Sequence, residues 1–294
     1  MRMQAHIVRR KKIIGVSLMM VLPLFALDAA VILNDTFADN ERVTQNLPAS
    51  ANWLSARATA DANVTGGYLR FDNFGNNRAG GLAYLSDPGD YVDMGIGGTL
   101  TLTFNYRYGA NNADEGGLYF GLINTGGTRV SSDNHDYNNS AFGNDVGYVG
   151  VGVFGDDTSS GRFRVRERVA GVNNYASLGP GSTAMPSLVN TVQAGGDTAN
   201  EWYQARLVLN YVSPSQMNIS ATIDGQTISV SDTSSIITSF DQVYIMSGQK
   251  PISFLDIDNI NVTYLSNIPE PGTIGFLAFG AYIIAILRRQ FLFR

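Results

Sequence analysis

Across its 294 residues the chain is 44% hydrophobic and 15% charged, with 32 glycines, which points away from a helical bundle and toward strands joined by tight turns. No cysteine is present, which excludes thiol catalysis, disulfides and cysteine metal sites. Apart from residues 1–29 and the tail beyond Pro271, 12 basic residues face 24 acidic ones, and a body of net charge −12 excludes nucleic acid as a partner by repelling phosphate backbones.

The chain opens with Arg9-Arg10-Lys11-Lys12, an apolar run over Ile13–Leu27 and the small residues Ala29-Ala30. A basic region, a short apolar region and a small-residue cleavage site read as a secretory signal peptide over residues 1–29, cut after Ala29 or after Ala26. The apolar run is short of the roughly 20 residues that a membrane span needs. A permanent N-terminal anchor is the alternative. Strand patterns follow at Val31–Phe37 and Gly67–Phe71, and Thr99–Tyr108 alternates apolar and polar residues throughout, the mark of a half-buried strand. Further strands are predicted at Leu118–Ile123, Tyr148–Phe154, Arg162–Val169 and Trp202–Val212. Met217–Ile223, Thr227–Val230, Gln242–Ser247 and Ile257–Tyr264 complete the set. Asp224-Gly225 between two of them is a hairpin signal. Gly109–Glu115, Gly126–Gly147, Gly155–Gly161 and Ala170–Asn200 read as loops. So many short strands suit one antiparallel β-sandwich better than two domains.

At the other end, Ile268-Pro269-Glu270-Pro271-Gly272 breaks any preceding element. The apolar run Thr273–Leu287 carries no charge, and Arg288-Arg289 after it stay on the cytoplasmic side of a membrane. A Pro-Glu-Pro triplet (Pro269, Glu270, Pro271), a short apolar helix and a basic cluster at Arg288 and Arg289 resemble the PEP-CTERM sorting signal of Gram-negative bacteria. The tail runs on through Phe291-Leu292-Phe293-Arg294, slightly beyond the usual ending. The resemblance implies processing by an exosortase, a membrane-associated precursor held by the C-terminal helix, and delivery to the cell surface, outer membrane or extracellular matrix.

The middle carries a second resemblance. Asn34-Asp35-Thr36-Phe37 with Trp53 downstream, Glu201-Trp202-Tyr203-Gln204-Ala205-Arg206-Leu207, the Asp224-Gly225 hairpin and the closing Asp256-Ile257-Asp258-Asn259-Ile260 are similar to concanavalin A-like (laminin G/lectin-like) jelly rolls. That likeness implies an all-β, two-sheet antiparallel jelly-roll sandwich over residues 30–266 whose last strand lies beside the first. The expected layout is therefore a signal peptide (1–29), the sandwich (30–266) and a sorting signal with a transmembrane helix (267–294). The likeness permits glycan binding, with extracellular polysaccharide as the partner.

Relatives of this architecture that cleave β-glucans carry Glu-x-Asp-x-x-Glu, and retaining glycosidases need two close carboxylates. Glu41, Glu115, Glu167 and Glu201 do not occur in that spacing. Glu167, within Arg164-Val165-Arg166-Glu167-Arg168, reads as a cross-strand salt bridge. His135 lies in a polar loop without a nucleophile motif. No catalytic residue is assigned, although a divergent glycoside hydrolase or lyase of the same fold is the alternative to a non-catalytic binding or structural protein. Calcium, which takes oxygen ligands, is the candidate cofactor, held by Asp35 or Asp39 near the first strand and Asp256 or Asp258 near the last. A turn-capping role is the competing reading for Asp258. Sugars stack on exposed aromatic rings beside polar groups, so Tyr84, Tyr137, Phe142 and Tyr175 are the glycan-binding candidates, while Trp53 and Trp202 are assigned to the core.

Overall fold

A computed structural model of the chain describes residues 29–56, 62–72, 80–109, 117–134, 140–153, 162–171, 187–192, 198–247 and 253–267, together with Gly280, Ile284 and Arg288 in helical geometry. In chain order the strands begin with β1 (Ala30–Asp35), β2 (Trp53–Ser55), β3 (Ala62–Thr65), β4 (Tyr68–Asp72), β5 (Gly80–Tyr84) and β6 (Val92–Asp93). Next come β7 (Thr99–Tyr108), β8 (Gly117–Asn124), β9 (Val146–Val153), β10 (Arg162–Arg168) and β11 (Ser187–Val192). The last are β12 (Tyr203–Ser213), β13 (Gln216–Ile223), β14 (Gln226–Asp232), β15 (Ser239–Phe240), β16 (Gln242–Ser247) and β17 (Phe254–Leu265).

Two large antiparallel sheets hold most of these strands. The first runs β14-β13-β12-β7-β17-β4-β3, and the second β11-β10-β9-β8-β16-β5-β2. β17 is long enough to pair β4 with its first half and β1 with its second, so the N-terminal strand lies beside the C-terminal one, as the jelly-roll likeness implies. β6 and β15 form a small separate ribbon.

Alternation builds the core. In β7, Leu100, Leu102, Phe104, Tyr106 and Tyr108 are buried, while the residues between them are half-buried on the other face. Facing them from the second sheet are Ala83, Phe120, Leu122, Val243 and Ile245. Gly150 pairs with Phe120 on this inner side, and a Cβ there would lie 2.6 Å from the phenyl ring. The glycine is needed for that close approach.

The second sheet is covered on its other face as well. Leu82, Ile123, Val149, Tyr244 and Met246 form a second buried cluster with Val130 and Phe142, which come from the segment linking β8 to β9. That segment and residues 170–200 were both expected to be loops. The first contains a 3-10 helix, Ser140–Asn144, and the second contains β11. β2, β3 and β5 also go unanticipated, being short or glycine-rich.

Residues 1–28 of the expected signal peptide, Pro269, Glu270, Pro271 and Arg289 lie outside the described residues, and Arg288 is helical. Among the described residues no helix is long and apolar enough to cross a membrane.

Candidate functional site

The four carboxylates proposed for calcium do not form one site. Asp35 is buried, and its Oδ1 accepts from the Phe37 backbone N–H (3.0 Å), while Oδ2 accepts from Ala51 N–H (3.1 Å) and Trp53 Nε1–H (3.0 Å). Burial nonetheless holds its carboxyl above the ordinary range, the three donors opposing the shift. Asp39 caps Glu41 N–H in an exposed turn. Asp258 accepts from the N–H and side-chain amide of Asn259, and burial raises its pKa. Asp256 is taken by two arginines. Among the described residues no group of three or more His, Cys, Asp or Glu could hold a metal ion.

Of the glycan-binding candidates, the two among the described residues, Tyr84 and Phe142, are not open platforms. Tyr84 is buried with its hydroxyl donating to Val130 O, and burial pushes its pKa up. Phe142 is buried in the same cluster, and its carbonyl accepts from Arg168 Nη2. Tyr137, Tyr175 and His135 lie outside the described residues. Trp53 is in the core, as expected, at 0% exposure. Trp202 is not: it is 40% exposed.

Trp202 marks a cluster that sequence reasoning missed. On the outer face of the first sheet, Asn63, Arg70, Asp256 and Arg107 are successive cross-strand partners from β3 through β4 and β17 to β7. Asp256 is fully buried between the two arginines. Arg70 grips it through Nε to Oδ1 (2.7 Å) and Nη2 to Oδ2 (2.9 Å), and Arg107 through Nε and Nη2 to Oδ2 (3.0 and 2.6 Å). The bond to Asp256 raises the Arg70 pKa further. Aromatic rings flank both guanidinium groups. Arg70 lies 4.0 Å from the centre of the Phe254 ring, and Arg107 lies 4.8 Å from Trp202 and 5.0 Å from Tyr68. Tyr68 meets Trp202 edge to face at 5.6 Å. Cation–π contact and paired hydrogen bonds fix the arginines, and with them the exposed indole. The result is a corner where an aromatic surface lies beside two partly exposed guanidinium groups whose Nε and Nη2 are held by Asp256. The available signal was parity: Arg70, Asp256 and Arg107 all occupy outward positions of alternating strands.

The same face continues away from the corner as rows of small polar side chains. Thr227, Thr222, Arg206, Thr103 and Asn261 are paired in turn across β14, β13, β12, β7 and β17. The next row is Ser229, Ser220, Val208, Thr101 and Thr263. Hydroxyls bond across strands, Thr222 to Thr227 at 2.8 Å and Ser229 to Ser220 at 3.1 Å. An open depression of about 580 Å³ lies here, bordered by Asn210, Asn218, Ser220, Ser229 and Ser231.

Two other groupings are buried. Glu167 pairs in register with Tyr148, so it faces inward, and its neighbours Arg164, Arg166 and Arg168 face the other way with Val149 and Val151. The cross-strand salt bridge expected for Glu167 is not found among the described residues: its partner across β9 is Tyr148, on the inner face. Burial, aided by nearby Asp232, raises the Glu167 carboxyl to about 7. Asp232 accepts from the Tyr148 hydroxyl at 2.8 Å. Arg166 is lowered by burial and by Arg164 beside it.

No protein-family model matches the sequence, and no curated protein sequence matches it significantly. Among solved structures, the carbohydrate recognition domain of Emp47p superposes with a TM-score of 0.50, covering 84% of this chain and 100% of that one at 12% identity. The fold is thereby a lectin-like β-sandwich. Lower overlap is found with a seed lectin of Lotus tetragonolobus (TM-score 0.47, 13% identity, 78% of this chain and 97% of that one). The alginate lyase Aly36B, solved with an alginate trisaccharide, overlaps with a TM-score of 0.44 at 13% identity, over 83% of this chain and 100% of that one.

Proposed function

We propose that the protein is an exported carbohydrate-binding β-sandwich that holds extracellular polysaccharide through the Trp202 corner and acts without catalysis. The observation that carries this reading is the exposed indole of Trp202, packed over Arg107 and against Tyr68, with the remaining N–H groups of two partly exposed arginines beside it. A pyranose presents an apolar C–H face and a rim of hydroxyls, and such a surface offers stacking for the first and N–H donors for the second. The lectin-like fold agrees with it.

Export belongs to the same proposal. Residues 1–29 direct secretion, and Pro269-Glu270-Pro271 with the apolar run and Arg288-Arg289 address the precursor to an exosortase at the membrane, for release or attachment at the surface. The secretion reading rests on the layout of residues 1–29, and the exosortase reading on the resemblance of residues 267–294 to the PEP-CTERM signal.

Affinity electrophoresis through gels containing polysaccharide tests binding. Migration of the protein is expected to be retarded by at least one glycan, and Trp202→Ala to abolish the retardation while leaving the melting temperature within a few degrees. Retardation that persists unchanged in Trp202→Ala would remove the corner from the reading.

A further inference from the structure

Resting on the glycan-binding reading of the corner, we propose that the binding surface extends over the whole outer face of the first sheet and takes an extended, uncharged polysaccharide chain. Its dimensions support a polymer. From Trp202 to Asn210 along β12 the face runs roughly 27 Å at about 3.4 Å per residue, room for several sugar units.

Its chemistry is continuous over that length. From the Gln204 row to the Asn210 row, Arg206 and Asp258, of opposite charge, are the charged side chains among the described residues of the paired strands; the others are chiefly Ser, Thr and Asn. Hydroxyl and amide groups can each donate and accept, matching the hydroxyl rim of a sugar without demanding a charge. At the corner the charges cancel. Arg70 and Arg107 are balanced by Asp256 and by Asp72, whose carboxylate acts electrostatically on Arg70. With a body of net charge −12 behind it, this face is poorly suited to a polyuronate, which long-range repulsion disfavours.

A second copy of the chain is also a poor occupant. Stable protein interfaces have an apolar, charge-depleted centre, whereas the middle of this face is lined by Thr101, Ser220, Thr222 and Ser229, with Val208 the lone aliphatic group among them. The depression bordered by Asn210, Asn218 and Ser231 lies at the far end, where a chain anchored on Trp202 would arrive.

The test uses the full-length protein with β-glucan, β-mannan and β-xylan oligomers, each as dimer and hexamer, and polygalacturonate as the acidic comparison. At least one hexamer is expected to bind more than tenfold tighter than its dimer, with little dependence on salt. Ser220→Lys and Thr101→Lys, both at solvent-facing mid-sheet positions, are expected to weaken the hexamer about tenfold, the loss of one or two net hydrogen bonds, and to leave dimer binding unchanged. Trp202→Ala is expected to weaken both. Hexamer affinity unaltered in both mid-sheet variants, with melting temperatures retained, overturns the extended surface while the corner stands. Preference for polygalacturonate overturns the uncharged class. Self-association that disappears in Ser220→Lys assigns the face to a second copy instead. Binding of none of these polymers overturns the inference together with the reading it rests on.

Discussion

At Asp35 three N–H groups converge on one buried carboxylate, tying β1 to the chain around Ala51 and to Trp53 in the second sheet. Asp35→Ala leaves three buried donors without an acceptor, each costing about 1–3 kcal/mol, so a loss of at least about 3 kcal/mol is expected in urea unfolding. Asp35→Asn, which keeps an acceptor oxygen, should lose less. Glu167 supplies a pH signature. Its folded pKa is about 7 against an ordinary 4.5, so the folded state holds the proton more tightly and stability falls as pH rises through that window. The drop is on the order of 2–3 kcal/mol. Glu167→Gln should flatten the pH dependence between those values and raise the melting temperature at pH 8, and an unchanged profile would show that Glu167 ionises normally. The Asp35–Trp53 contact was partly visible in sequence, since both residues stood out in the same lectin-like opening. Tryptophan is usually well buried, and Trp202 departs from that expectation. Its position just ahead of β12, outward over Arg107, depends on the pairing of β12 with β7 and cannot be read along the chain.

Strands were most legible where they alternate. Thr99–Tyr108 and Met217–Ile223 occur as their patterns predict, and the Asp224-Gly225 turn joins β13 to β14 with both residues at positive φ, 45° and 73°. That is the backbone a two-residue hairpin turn of the right-handed twist requires. Gly225→Ala is expected to cost about 1 kcal/mol or more from the strained φ, measured by thermal melts. Gly150→Ala should cost about 1–3 kcal/mol by overpacking against Phe120. If Gly150→Ala is neutral, the two inner faces are less tightly packed than described. β5, β11 and the covered face of β10 show where pattern reading loses ground. β5 and β16 are buried on both faces and give no alternation, and β10 carries arginines on a covered face, where charge ordinarily signals solvent. Both follow from the segment that packs Val130 and Phe142 over the second sheet. A cover of that kind is a tertiary fact.

The whole molecule is asymmetric between its faces as well as between its ends. One sheet is covered on both sides, whereas the other turns rows of hydroxyls and an aromatic–arginine corner outward. Under the proposed function, an acidic body with a nearly uncharged outer face suits a polymer of neutral sugars. Removal of residues 267–294 is expected to shift the protein from the cell-surface fraction to the medium, as judged by fractionation. Equal surface retention would exclude the tail as the address. The chain has two tryptophans, Trp53 at 0% and Trp202 at 40% exposure, so emission changes on ligand addition report on the corner. The most direct measurement is tryptophan fluorescence during titration with a neutral polysaccharide. Stacking at the corner predicts a saturable blue shift that is absent in Trp202→Phe. Binding demonstrated by calorimetry with no change in Trp202 emission would contradict it.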